Sequence, residues 1–184
     1  MDSNWFKSAK DLLARWKEQE TKPREYGGKT LTPRAEKAIG FAVQEAQRLK
    51  HNYVGVEHLL LGLVELDYGL TRDAFKRHGL TFSTLRSEIE SLVGFGSDRV
   101  SWKNVPYAPR ARRSLETASK HAKKLGHTYI GSDHILLGLL EEKGGAVGHI
   151  LDKLKLNPEQ MHREILDMMT PKFPGQGDKP KDEG

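Results

Sequence analysis

Apolar residues recur along this chain at helical intervals, and the intervals themselves recur. Ala35, Ala38, Ile39, Ala42, Val43, Ala46 and Leu49 are spaced three and four apart, as on one buried helix face. Thr32-Pro33 ahead of them is a hydroxyl N-cap with proline at the first helical position. A second helix is expected to begin near Val56-Glu57 and to carry the run from His58 to Leu63. It is apolar on most sides, which predicts a central helix. Its counterpart further along is expected to begin at Ser132 as N-cap. Gly62 and Gly138 interrupt these two helices. A glycine there costs roughly 1 kcal/mol against alanine, so its presence in both points to close backbone approach. A third helix runs to about His78 and stops at Gly79, a natural C′ residue. A fourth follows Thr81, and its counterpart starts at Asn157-Pro158-Glu159-Gln160, read as a capping box. No segment reads as a strand.

The two sets of helices are one pattern written twice. His51 begins HNYVGVEHLLLGLVE and His127 begins HTYIGSDHILLGLLE, an offset of 127 − 51 = 76. From Thr32 to Glu65, fifteen of thirty-four residues equal their partners at that offset, with no gap. The duplication divides the chain. Residues 1–30 are read as an amphipathic helix over residues 4–18, with Trp5, Phe6, Leu12, Leu13 and Trp16 on one face, followed by a polar linker. Residues 31–169 form the repeat domain, repeat one at 32–93 and repeat two at 108–169. The Pro-, Gly- and charge-rich segment 170–184 is expected to be disordered.

Composition narrows the function classes. None of the 184 residues is cysteine, which removes thiolate metal sites and cysteine nucleophiles and fits a reducing cytoplasm. No apolar run is long enough to span a membrane. The net charge of +5 is modest, and no basic stripe interleaved with aromatics suggests nucleic-acid binding. A cytoplasmic protein without nucleic-acid or membrane partners is the expectation.

Motif chemistry is sparse. Gly28-Lys29-Thr30 ends like a phosphate-binding loop, but Pro23 stands where that loop requires glycine, and no buried strand precedes it. No serine sits in a nucleophile-elbow context, so no catalytic residue is assigned. His58 and His134 occupy matching places, as do His51 and His127. Each pair is split between the repeats and Glu57-His58 makes no H-E-x-x-H helix, so local packing at a helix start is the expected role. No metal or cofactor is expected. Glu57 and Asp133 occupy one matching position in the first turn of the central helices. Two readings stay open there: interaction with the helix dipole, or acceptance of a guanidinium beside an anion-friendly helix start.

The paired GVEHLLLGL and GSDHILLGL, the helix starts TPRAEKAI and APRARRSL, and the approaches RLKHNY and KLGHTY resemble the double Clp N-terminal repeat, as in the N-terminal domain of ClpC-type AAA+ unfoldases. The resemblance implies an all-α fold: two pseudo-symmetric four-helix repeats in one compact domain. It also implies a non-catalytic module of the Clp protease system that recognises substrate peptides or adaptors. The other reading is an accessory subunit docking on a Clp unfoldase or protease core. With no ATPase motif in the chain, a stand-alone recognition module is expected. In ClpC-type domains each repeat can bind phosphoarginine, an acid holding the guanidinium and the start of helix one lying near the phosphate. The matching ligand-binding residues are Glu57 and Thr32 for the first site, and Asp133 and Ala108 for the second. Asp133 is a methylene shorter and Ala108 lacks a hydroxyl, so the second site is expected to be the weaker. Substituting either acid is expected to leave melting nearly unchanged if the acids are exposed.

Overall fold

The structure is a computed structural model; it describes residues 25–26, 28–66, 68–97, 105–142 and 144–170. The expected N-terminal helix and disordered tail lie outside these residues. Among them, eight helices form two sets of four. Repeat one holds α1 (Pro33–Arg48), α2 (Val56–Val64), α3 (Leu70–Arg77) and α4 (Phe82–Val93). Repeat two holds α5 (Pro109–Lys124), α6 (Ser132–Leu140), α7 (Gly145–Lys153) and α8 (Pro158–Met169). The helix limits superpose at the offset of 76, except that α7 begins one residue early. The all-α class read from the periodicity is the one observed.

Local chemistry sets most of these limits. The Thr32 hydroxyl accepts from the Ala35 N–H at 3.2 Å, with Pro33 at the first helical position. Thr81 caps α4 in the same way, through the Thr84 N–H. Asn157 Oδ1 accepts from both Glu159 and Gln160. The expected capping box is only half formed, because the Gln160 amide donates to Glu164 instead of reaching back. Gly79 adopts φ +66 just past α3. Its equivalent, Lys155, takes φ +55 without being glycine.

Each repeat is built around its second helix. In α2 every residue from Val56 to Leu63 is buried, and α6 is buried nearly as completely. Helix one crosses helix two at the interior glycine. A β-carbon on Gly62 would fall inside van der Waals contact of the Ala38 carbonyl and 2.7 Å from the Ala42 nitrogen. One on Gly138 would meet the Ser114 carbonyl and lie 3.0 Å from the Ala118 nitrogen. Alanine and serine on the facing helix let the two backbones come that close. The expected stripe on α1 is buried except Val43, which is half-buried; Glu45 joins the buried face instead.

The two repeats pack by exchange. Helix α3 meets α8 while α4 meets the equivalent α7, and α1 meets α6 while α2 meets α5. His78 Nε2 lies 2.8 Å from Glu164, and at almost the same offset Lys153 pairs with Glu88.

Three short strands, which the sequence reading missed, complete the exchange. β1 (Glu25–Tyr26) runs antiparallel to β2 (Lys29–Leu31), and β2 runs parallel to β3 (Tyr129–Ile130). The part of the assumed linker over residues 25–31 is thus tied to repeat two. Two residues separate Tyr26 from Lys29, and Gly28 takes φ +74 there. That is tight-hairpin chemistry, and it was present in the sequence as a glycine pair. The Lys29 amine donates to the His127 carbonyl at 2.6 Å, a structural use of the residue that resembled a phosphate-loop lysine.

Gly62→Ala tests the close crossing. On an exposed helix this change gains about 1 kcal/mol. Here overpacking is expected to reverse the sign and cost about 1–3 kcal/mol, read as a lower urea midpoint with unchanged slope. Gly138→Ala is expected to behave alike.

Candidate functional site

The residues just before each helix one and each helix two are hydrogen-bonded crosswise. Thr32 N–H donates to the Ile130 carbonyl at 2.9 Å. Its equivalent, Ala108 N–H, donates to the Val54 carbonyl at 2.9 Å. Val54 N–H in turn donates to the Pro106 carbonyl at 2.8 Å. The backbone therefore joins Thr32 to the corner that leads into Asp133, and Ala108 to the corner that leads into Glu57. This differs from the sequence-based grouping, which set Thr32 with Glu57 and Ala108 with Asp133. The reason is non-local: the exchange between repeats places each helix-one start on the other repeat's helix two.

Each corner is stiffened by two histidines and a tyrosine. Gly55 is the N-cap of α2, and its N–H donates to His58 Nδ1 at 2.8 Å. With Nδ1 accepting, the His58 proton sits on Nε2 and is donated to His51 Nδ1, 2.9 Å away. Repeat two copies this through Gly131 to His134 Nδ1 at 2.9 Å, and His134 Nε2 to His127 Nδ1 at 2.9 Å. Gly131, not Ser132, is therefore the N-cap of α6. His134 fills the role that glutamate or glutamine has in a capping box. Tyr53 stacks on His51 with centroids 5.4 Å apart, and Tyr129 stacks on His127 at 5.2 Å. Burial holds His58 down at about 3 and His134 at about 4, with the neighbouring histidine adding to each. The imidazoles are neutral hydrogen-bonding braces. His51, Glu57 and His58 lie within metal-ligand reach of one another. Both nitrogens of His58 and the Nδ1 of His51 are already engaged, so this trio does not fit an ion.

The two acids differ more than their shared position suggests. Asp133 is half-buried, and its Oδ1 accepts from the Thr71 N–H at 3.1 Å and the Thr71 hydroxyl at 2.6 Å. It caps α3 of the other repeat. The equivalent of Thr71 is Val147, which has no hydroxyl to offer Glu57. Glu57 is buried, at 6% exposure, and burial raises its carboxyl above the ordinary range against a counteracting hydrogen bond from its own backbone. The condition of exposure is therefore not met at Glu57. Among the described residues, no lysine or arginine pairs with it. Its one ionic-range neighbour is His58 Nδ1 at 3.3 Å, a nitrogen that is itself accepting.

The helix starts differ too. Thr32 spends its hydroxyl on α1, whereas Ala108 gives α5 no side-chain cap. The Glu57 corner thus combines a buried unpaired carboxylate, a helix start not capped by its own N-cap side chain, and the half-exposed ring of Tyr53. The Asp133 corner has its acid and hydroxyl committed to structure, with Lys29 alongside on β2. The sequence offers Lys29 only as a phosphate-loop likeness, and Tyr53 and Tyr129 are not among its candidate site residues. The tyrosines carried a signal, identity at the same offset; Thr71 carried none.

Two four-helix repeats clasped in this way define a double-repeat helical domain. The chain matches the family model described as the Clp repeat (R) N-terminal domain over residues 30–179, and it belongs to that family. It is 40% identical over 139 residues to "Chaperone protein ClpC, chloroplastic" of Pisum sativum, covering 76% of this chain and 15% of that protein. It is 38% identical over 136 residues to a "Probable ATP-dependent Clp protease ATP-binding subunit" of Chlamydia pneumoniae, covering 74% of this chain and 16% of that protein. The N-terminal domain of the caseinolytic protease associated chaperone ClpD from Arabidopsis thaliana superposes with a TM-score of 0.65 at 27% identity, covering 76% of this chain and 94% of that one. The chain thus spans under a fifth of the length of these curated relatives. Among the described residues, no helix is long and apolar enough to cross a membrane.

The buried histidines set an acid limit on stability. An unfolded histidine takes up its proton near 6.5, whereas His58 and His134 resist down to about 3 and 4. Unfolding therefore binds protons, so stability is full above 6.5 and falls as pH drops through that window. Melting temperature followed from pH 7.5 to 4.5 is expected to decline. In His58→Gln, which can still accept the Gly55 N–H, the decline is expected to be shallower.

Proposed function

We propose that this domain is a non-catalytic recognition module of the Clp system that binds substrate peptides or adaptor proteins at its two helix-two corners, and that Glu57 is the anchor for a phosphorylated arginine side chain. The observation that carries this reading is the buried Glu57 carboxylate, without a lysine or arginine partner among the described residues, on the corner whose Val54 carbonyl accepts from the Ala108 N–H at the start of α5. A carboxylate out of water without a cation is costly, and an incoming guanidinium relieves that cost. The first-turn amides of α5 and the helix dipole favour the phosphate. The ligand would carry both signs a few ångströms apart, as phosphoarginine does.

The Asp133 corner is the weaker copy in this reading. A guanidinium there competes with Thr71 for the carboxylate, and the Thr32 hydroxyl is already spent within α1. The absence of a hydroxyl at Ala108, which from sequence alone suggested a weak site, works the other way at the Glu57 corner. It leaves the α5 start open to an anion.

Calorimetry with free phosphoarginine tests the assignment. A charge-assisted hydrogen bond is worth about 1.5–3 kcal/mol, so Glu57→Gln is expected to lose roughly tenfold to a hundredfold in affinity. Asp133→Asn is expected to lose less. Wild-type affinity is expected to fall on acidification, starting above the usual carboxylate range, because Glu57 protonates early. The same variant has a stability signature. The raised carboxyl pKa means that ionised Glu57 costs stability at neutral pH. Glu57→Gln is therefore expected to melt higher than wild type at pH 7, with the difference closing as pH falls. Equal phosphoarginine binding by wild type and both variants would refute the anchor role.

A further inference from the structure

Away from both corners, repeat two gathers three side chains from three helices around one point. His121 lies on α5, Glu141 follows α6 as its C-cap, and His162 lies on α8. His121 Nε2 is 2.7 Å from Glu141 Oε1, and His162 Nε2 is 3.2 Å from the same oxygen. The imidazole rings meet edge-on with centroids 5.2 Å apart. His121 donates to the carboxylate with good geometry, but His162 does not: its buried Nε2 has no aligned hydrogen-bond partner. Two imidazole nitrogens thus converge on one carboxylate oxygen that serves only one of them.

The equivalent positions in repeat one explain what is missing. Subtracting 76 from 121, 141 and 162 gives Glu45, Glu65 and Arg86. There the Arg86 guanidinium donates to Glu45 at 2.6 and 3.2 Å and also acts electrostatically on Glu65. Repeat one carries its cation covalently, between two carboxylates. Repeat two keeps one carboxylate, replaces the other groups with imidazoles, and has no fixed cation at the centre among the described residues. The nearby Lys124 is exposed.

We propose that His121, Glu141 and His162 form a site for a divalent metal ion of the zinc class, with water in the fourth position. Two histidines and a glutamate are a donor set that zinc accepts. At the usual zinc–ligand length of about 2.0–2.1 Å, tetrahedral ligand atoms lie about 3.3 Å apart. The 3.2 Å separation already fits, the 2.7 Å one opens by a few tenths of an ångström, and all three ligand atoms lie within 4.8 Å of one another. Exposed Glu141 and half-buried His162 line a groove of about 730 Å³ between α6, α7 and α8, which gives the ion a route from solvent. Bound there, it would pin α5, α6 and α8 together.

The test uses the full chain without an affinity tag, titrated with zinc chloride by calorimetry and followed by thermal melting, with cobalt(II) as a spectroscopic probe. One zinc per chain, a melting temperature raised by zinc and restored by EDTA, and an intense tetrahedral cobalt band are expected. His162→Gln and Glu141→Gln each alter a partly exposed ligand, and circular dichroism of the metal-free variants checks their folding. Each is expected to lose at least tenfold in zinc affinity and the cobalt band. Glu65→Gln, the repeat-one counterpart of the second, is expected to change neither. No zinc binding, or binding that both ligand variants retain, would overturn the proposal, since the ion would then sit on other histidines of the chain.

Discussion

The architecture depends on a few backbone hydrogen bonds that each repeat makes to the other. A buried N–H or C=O must find a partner, and the segment entering helix two in each repeat finds it in the segment entering helix one of the other. Strands of two or three residues have no independent stability. They persist here because the helices packed behind them, α1 on α2 and α5 on α6, already hold the ends in place. The crossing at Gly62 and Gly138 sets how deeply those helices nest. Close nesting and crosswise pairing together fix where the corners lie, and therefore which acid faces which helix start.

Much of the fold was legible because its causes are local. Thr32, Thr81, Asn157 and Gly79 announce helix limits by their own hydrogen-bonding and backbone preferences, and the structure places them so. The apolar character of α2 and α6 announced central helices, and the paired glycines announced close contact. The hairpin at residues 25–31 was passed over because charge and proline nearby read as linker. Ser132 reads as an N-cap because of its hydroxyl, but Gly131 holds that place and His134, three residues on, supplies the acceptor.

For the candidate site, the sequence shows which positions match between the copies and not which helix start each corner is bonded to. Register identified Glu57 and Asp133, since both copies keep an acid there. Which helix start faces each acid is a long-range fact, and no local periodicity encodes it. The commitment of Asp133 to Thr71 depends on a residue whose counterpart is Val147, so the comparison of copies hid it. Divergence between copies was as informative as identity: a hydroxyl for an alanine at one corner, and an arginine for a histidine at the third helical junction.

The crosswise pairing has the reciprocity of an isologous dimer: position 32 of one repeat meets position 54 of the other, and each meeting occurs twice. Two free protomers related in this way would associate only as concentration allowed, and any substitution would appear in both at once. Joining them in one chain replaces that concentration with the fixed, high local one set by the connecting segment. It also breaks the symmetry of inheritance. Each corner can then change without its twin, so one polypeptide holds two related sockets whose preferences are free to drift apart.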